Sequence, residues 1–204
     1  MVNVTSRGRV KTLLGLTGTT EDDFIDTLVS GVSAEIAKYI GRPISEESRT
    51  EQYTVLTNGR QIFLRATPIL TVTSIIVDPF WQFTGTAVAS TRYNIETDTG
   101  AVYFMDAIVG GFRVSGYESS VKNAIQVIYT GGLGASAGDV ISNHPNIALA
   151  ADIQIGEDFR RRNNPDTKQR GGPSGGRSWT DAHRFLPRVQ QMLATEVRYI
   201  LGSR

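Results

Sequence analysis

One serine lies in a pattern that is typical of hydrolases. Gly172-Pro173-Ser174-Gly175-Gly176 matches G-x-S-x-G, the turn that exposes a nucleophilic serine between a strand and a helix. The preceding residues 163–170 are polar apart from Pro165, so they do not predict the strand that this turn requires. His183 and Asp181 follow the serine too closely to complete a triad from separate loops. We therefore predict a mobile loop without catalytic activity.

A second glycine-rich segment follows Ala124–Tyr129, which has the composition of a strand. Gly132-Leu133-Gly134 resembles the loops in which backbone amides approach a phosphate at the start of a helix. No Gly-Lys-Ser/Thr follows, and residues 135–143 show no amphipathic pattern, so we predict a connection from sheet to helix. The histidines, His144 and His183, are far apart and the chain has no cysteine. These residue types predict no metal site, and we expect no cofactor.

The positive charge is concentrated near the C-terminus. Residues 151–204 carry a net charge of +4 and residues 1–150 a net charge of −3, which gives +1 for the chain. The basic cluster consists of Arg160, Arg161, Arg162, Lys168, Arg170 and Arg177. Such a cluster could neutralise DNA phosphates without reading bases, bind an acidic protein surface, or be solvated. From about residue 163 to residue 180, glycine and proline predict a flexible basic loop.

Composition excludes several classes of protein. With 204 residues, 40% of them apolar and 20% charged, the chain has a globular composition and is long enough for one substantial core. No apolar run approaches the roughly 18 residues that span a bilayer, so we expect a soluble protein without a membrane partner. The absence of cysteine excludes a disulfide framework and thiol catalysis.

Helical periodicity is clearest before and after the middle of the chain. Apolar residues recur on one face of Glu21–Ile40, and Gly41 and Pro43 predict where that helix ends. A shorter helix is expected around Arg9–Leu14. Two further helices are predicted at Ile147–Arg162 and from Pro187 through Val197, Ile200 and Leu201.

The middle of the chain has the pattern of antiparallel strands. Gln52–Leu56 and Gln61–Arg65 flank Asn58-Gly59, which predicts a type I′ hairpin. Strands are also predicted at Ile69–Val77, Tyr93–Glu96, Val102–Met105 and Ala124–Tyr129, the second and third as a hairpin. The predicted fold is α+β, with an antiparallel sheet inserted between the first helix and the C-terminal helices. We expect a single domain over residues 1–204.

Several segments occur in an order and spacing that resemble one protein family. They are Leu16–Asp22, Tyr39–Ile44, Thr67–Ile75, Tyr93–Glu96, Gly100–Phe104, Ile125–Gly132 and Phe159–Asn163. Together they are similar to the phage head-to-tail connector proteins, also called adaptor or head completion proteins. The resemblance covers about residues 10 to 163. The loop at 79–92 and the segment 164–204 depart from shorter members of that family.

The resemblance implies a structural protein, not an enzyme. Members of the family are ring-forming adaptors, usually of twelve copies, that bind beneath the portal and extend the DNA channel toward the tail. The implied partners are the portal protein, neighbouring copies in a homo-oligomeric ring, a tail or stopper protein, and genomic DNA in the lumen. The implied location is the neck of the virion, with the host cytoplasm as the place of assembly.

Two sets of residues receive roles in this scheme. The basic cluster is expected to face DNA or a neighbouring subunit, and Arg198, Tyr199, Ile200 and Leu201 are expected to dock on the portal. Ile200 and Leu201 could instead continue the apolar face of the last helix into the core. The alternative function is a non-enzymatic nucleic-acid-binding protein that uses the basic segment 160–177.

Overall fold

The structure is a computed structural model that describes residues 2–55, 61–78, 80–105, 121–163 and 185–197. The chain divides into two compact units. The helical unit contains Met1–Ile44 and Gly134–Val197, and the strand unit contains Ser45–Leu133. Helices together with antiparallel sheets confirm the predicted α+β class. The assignment of residues 1–204 to a single domain stays a prediction.

The described part of the helical unit contains five helices. They are α1 (Arg7–Leu14), α2 (Asp22–Ile40), α3 (Ala137–Asn143), α4 (Pro145–Asn163) and α5 (Pro187–Ala194). The predicted helices around residues 9–14, 21–40 and 147–162 are confirmed as α1, α2 and α4. The apolar face of α2 is buried as its periodicity predicts, through Ile25, Val29, Ile36 and Ile40. Gly41 ends α2 in the left-handed conformation, with φ 69°.

Two helical predictions need correction. The sequence pattern predicts no helix in residues 135–143, but α3 occupies most of them. It is too short to show periodicity, and only Val140 in it is buried. The predicted last helix begins at Pro187, but its predicted course through Val197 is wrong, since α5 ends at Ala194. The Glu196 N–H donates a hydrogen bond to the carbonyl of Leu193, three residues earlier. This tight turn ends the helix.

The described part of the strand unit contains two three-stranded antiparallel sheets. The strands are β1 (Glu47–Val55), β2 (Gln61–Phe63), β3 (Ile69–Val77), β4 (Tyr93–Glu96), β5 (Ala101–Phe104) and β6 (Val121–Gly131). Their order is β1-β6-β3 in one sheet and β2-β5-β4 in the other. Buried residues from both sheets, including Ile62, Ile75, Val102 and Val127, form one apolar core. The predicted hairpin of β4 and β5 is confirmed, with Glu96 opposite Ala101.

The predicted hairpin across Asn58-Gly59 is wrong as a strand pairing. β1 pairs with β6 and β2 pairs with β5, so the two predicted partners lie in different sheets. Asn58-Gly59 itself lies outside the described residues. A turn pattern reports only local backbone tolerance, whereas the choice of partner depends on burial across the sheet. Tyr129 and Val127 of β6 are fully buried, and their strand is the central partner of both β1 and β3.

Candidate interaction surfaces

The C-terminal end of α4 carries the first three members of the basic cluster. Arg162 Nη1 lies 2.6 Å from Glu21 Oε2, and its guanidinium stacks 4.2 Å from the centre of the Phe24 ring. Arg161 Nε lies 3.2 Å from Glu157 Oε1, one helical turn earlier. Arg160 is exposed and makes no ion pair with another described residue. Among the residues that the structure describes, the helix end therefore presents one cation without an acidic partner and two whose charge is partly neutralised.

The other predicted site residues lie outside the part of the chain that the structure describes. Lys168, Arg170 and Arg177 of the basic cluster lie outside the described residues, as do Ser174 and His183. The predicted portal-docking residues Arg198, Tyr199, Ile200 and Leu201 also lie outside them. Their roles stay predictions.

A buried glutamine fixes the helix that leads toward residues 198–201. Gln154 of α4 is 2% exposed, and its Oε1 accepts a hydrogen bond of 3.0 Å from the backbone N–H of Leu186, at the start of α5. Its Nε2 donates to Asp158, whose pKa is raised chiefly because burial disfavours the charged form. Val189 and Leu193 anchor the buried face of α5. The sequence pattern did not indicate a role for Gln154, although it lies next to Ile155 on the apolar face of α4.

The N-terminal segment is held to α4 by a buried carboxylate. The side chain of Asp152 is 1% exposed. Thr5 Oγ1 donates to Asp152 Oδ1 at 2.6 Å, and Arg9 Nε lies 2.6 Å from Asp152 Oδ2. The Val4 N–H donates to Ser33 Oγ at 3.1 Å, which joins the same segment to α2. Because the two contacts of Asp152 join residues more than a hundred positions apart, sequence periodicity alone could not reveal them.

A carboxylate and two phenols form the main polar cluster of the strand unit. Tyr129 is fully buried; its hydroxyl donates to Glu51 Oε1 at 2.7 Å and accepts from the Ala66 N–H at 2.9 Å. The Tyr53 hydroxyl also donates to Glu51. Burial is the main cause of the raised pKa of Tyr53, and the hydrogen bond to Glu51 raises it further. Burial also raises the pKa of Tyr129 to about 12. Both phenols are therefore neutral donors at physiological pH, and the cluster stabilises the sheets.

An exposed loop after β3 is organised by a single carboxylate. Asp78 accepts hydrogen bonds from the backbone N–H groups of Phe80, Gln82 and Phe83 at 2.8, 3.0 and 2.8 Å. Trp81 and Phe83 have positive φ angles of 60° and 50°, which cost a bulky residue about 1–2 kcal/mol each. The three bonds to a charged acceptor offset that cost. We name Phe80–Phe83 the aromatic loop.

The glycines after β6 allow close approaches between backbone segments. A Cβ on Gly131 would lie 2.3 Å from the Ala66 carbonyl oxygen, and one on Gly132 would lie 2.3 Å from that of Ser45. Gly132 also has a φ of 143°. The capping box of Ser136 and Asp139 occupies amides at the start of α3. Packing thus accounts for these glycines, and the predicted connection from sheet to helix is confirmed.

The described residues contain no group of three or more His, Asp or Glu side chains placed to hold a metal ion. Within the same part of the chain, no helix combines the length and apolar character needed to cross a membrane.

A profile of the family described as "Head completion protein" matches residues 3–109, slightly more than half of the chain. The chain belongs to the head completion protein family. This confirms the resemblance to phage head-to-tail connector proteins that the sequence segments indicate. The match includes α1, α2 and the strands from β1 to β5. None of the curated proteins matches this head completion protein.

Solved structures share the fold of this head completion protein. A chain from the neck of an empty gene transfer agent particle, computed with C6 symmetry, has a TM-score of 0.57 and 18% sequence identity; the match covers 97% of this chain and 91% of that chain. A chain from the neck of the native particle, computed with C12 symmetry, has a TM-score of 0.53 and 17% identity, with coverages of 93% and 97%. A chain from the native virion has a TM-score of 0.55 and 18% identity, covering 96% and 91%. At these identities, the matches show a common fold.

Proposed function

We propose that this chain is a structural connector subunit in the neck of a tailed phage or a related particle. Membership of the head completion protein family is the observation that carries the proposal. The fold shared with chains from gene transfer agent necks, computed with C6 and C12 symmetry, supports it. Copies of the chain form a closed ring, a dodecamer, beneath the portal protein. The ring extends the DNA channel, binds a tail or stopper protein below, and has no enzymatic activity.

The end of α4 suits a surface that DNA passes or a neighbouring copy touches. A channel for DNA must avoid tight contacts, because each neutralised phosphate adds to salt-dependent affinity. Arg161 and Arg162 have acidic partners in their own chain, whereas Arg160 has none within the described ranges. We assign Arg160, Arg161, Arg162, Lys168, Arg170 and Arg177 to this DNA-facing or neighbour-facing surface. The weak local charge at α4 favours passage over retention.

Residues Arg198, Tyr199, Ile200 and Leu201 dock on the portal in this proposal. The buried face of α5 is complete by Leu193, so the docking segment follows a helix that is already anchored. A chain truncated after Val197 should therefore keep its thermal midpoint and lose portal binding. The matched control is the pair Val189→Ala and Leu193→Ala, each of which should lower the midpoint by removing buried volume. A truncated chain that unfolds would instead assign Ile200 and Leu201 to the core.

Native mass spectrometry of the chain, alone and mixed with the portal ring of the same particle, tests the proposed function. The expected result is a discrete adduct of many copies on the portal. A chain that never joins the portal overturns the connector function. If that chain also binds DNA with an affinity that falls steeply with salt, the nucleic-acid-binding alternative replaces it. In that case, Arg160→Gln should weaken DNA binding more than Arg161→Gln, because Arg161 already has an acidic partner.

A further inference from the structure

The aromatic loop displays two large apolar side chains. Phe80 is 74% exposed and Trp81 is 58% exposed. The three hydrogen bonds to Asp78 hold the backbone in the conformation that presents them. Exposed aromatic residues on an ordered backbone lose little entropy on binding, and tryptophan is among the residues that most often dominate protein interfaces. The loop therefore has the properties of a binding element.

The chemistry of the loop indicates a protein partner. Residues 79–91 contain no Lys, Arg, Asp or Glu. Binding to duplex DNA depends on neutralising phosphates with cations, which this stretch does not supply. Stacking of bases on aromatic rings requires unpaired bases, which a DNA duplex does not offer. An uncharged apolar surface on another protein is the partner that matches the loop.

The strand unit carries a second exposed apolar patch that could receive the loop. Tyr103 of β5 is 42% exposed and Met105, two residues later, is 63% exposed. The residues opposite Tyr103 are Gln61 on β2 and Asn94 on β4, which are both neutral. We name Tyr103 and Met105 the β5 outer patch; burying Tyr103 leaves neither of these two neighbours as an unpaired charge. The Met105 N–H donates to the carbonyl of the exposed Arg92, so one cation lies at the margin of the patch. Methionine also makes favourable contacts with aromatic rings.

We propose that the aromatic loop of one copy binds the β5 outer patch of the next copy around the ring. The contact joins two different patches, so it is head-to-tail, which is the kind of contact that closes a ring of identical subunits. The inference rests on the proposed function because it needs the chain to form a ring. It adds the pair of surfaces by which neighbouring copies recognise one another.

Because the chain has no cysteine, introduced cysteines report this contact directly. A Trp81→Cys, Met105→Cys double variant is mixed with the portal ring, oxidised, and separated on a non-reducing gel. We expect a ladder of dimers, trimers and larger species, and no ladder from either single variant. A disulfide that stays within one chain, or no disulfide on a portal-bound ring, would refute the contact. Dimers from Trp81→Cys alone would also refute it, because they would show that loop meets loop.

A second measurement separates this inference from the proposed function. Trp81→Ser should lower the fraction of chain in the portal-bound ring roughly tenfold, as expected for a central tryptophan at an interface. The matched control is Leu13→Ser, since Leu13 is also 58% exposed but lies in the helical unit, and it should leave the ring intact. If Trp81→Ser forms the ring like the wild type, the inference is wrong and the connector function stands. If the wild type itself forms no ring with the portal, both are wrong.

Discussion

Removal of the Asp152 carboxylate should destabilise the helical unit strongly. Its side chain is 1% exposed and accepts two hydrogen bonds of 2.6 Å, from Thr5 and Arg9. In Asp152→Ala the Thr5 hydroxyl, which lies in a residue 1% exposed, loses its acceptor at a cost of about 1–3 kcal/mol. The Arg9 side chain is 37% exposed and can bind water instead, so the loss of its ion pair with Asp152 adds less than about 1 kcal/mol. We expect a total of about 1–4 kcal/mol.

Urea unfolding followed by circular dichroism at a helix-sensitive wavelength measures this change, because the described α-helices all lie in the helical unit. A loss of that size corresponds to a fall in the thermal midpoint of roughly 2–4 °C for each kcal/mol. Asp152→Asn keeps one acceptor oxygen and should cost less than Asp152→Ala. The matched control is Asp26→Ala, because Asp26 pairs with Arg7 at 3.0 Å but its side chain is 53% exposed.

The control should change the free energy of unfolding by less than about 1 kcal/mol. A change below about 1 kcal/mol for Asp152→Ala would refute the argument that burial makes this carboxylate important. An equal loss for Asp152→Ala and Asp26→Ala would refute it as well, since the two acids differ mainly in exposure.

Three further changes test other parts of the fold. Gly132→Ala should destabilise the strand unit severely, because the alanine Cβ would lie 2.3 Å from the Ser45 carbonyl oxygen. The control is Gly31→Ala in α2, whose added Cβ would have no atom within 4 Å and which should raise the thermal midpoint. Burial raises the pKa of Tyr129 from 10.0 to about 12, so the folded state keeps this proton to higher pH than the unfolded state, and stability should fall as pH rises through that interval. Tyr129→Phe should flatten this part of the pH profile of urea unfolding; an unchanged slope would contradict the assignment. Burial also raises the pKa of Asp158 above 3.8, so its charge lowers stability at neutral pH and the penalty disappears as pH falls through the folded-state pKa. Asp158→Asn should therefore be at least as stable as the wild type at neutral pH, and its advantage in thermal midpoint should shrink in acid.

The sequence by itself determined the helices with long apolar faces, most of the strands and the family. Periodicity on α2 and α4 requires only local geometry, since residues three and four positions apart share a helical face. The hairpin of β4 and β5 could also be predicted from the sequence, because its two strands are joined by only four turn residues, 97–100. The order of short segments along the chain was enough to indicate the head completion family.

Only the tertiary structure decided which distant residues meet. β1 pairs with β6, which places Glu51 opposite the buried Val127. The turn pattern at Asn58-Gly59 is local and does not determine which strands pair, because burial across the sheet decides the partner. The contacts of Asp152 with Thr5, and of Gln154 with Leu186, likewise depend on packing between segments far apart in sequence. The type of a polar residue does not reveal whether its side chain is solvated or buried. Its role is therefore decided only when the fold removes water from around it.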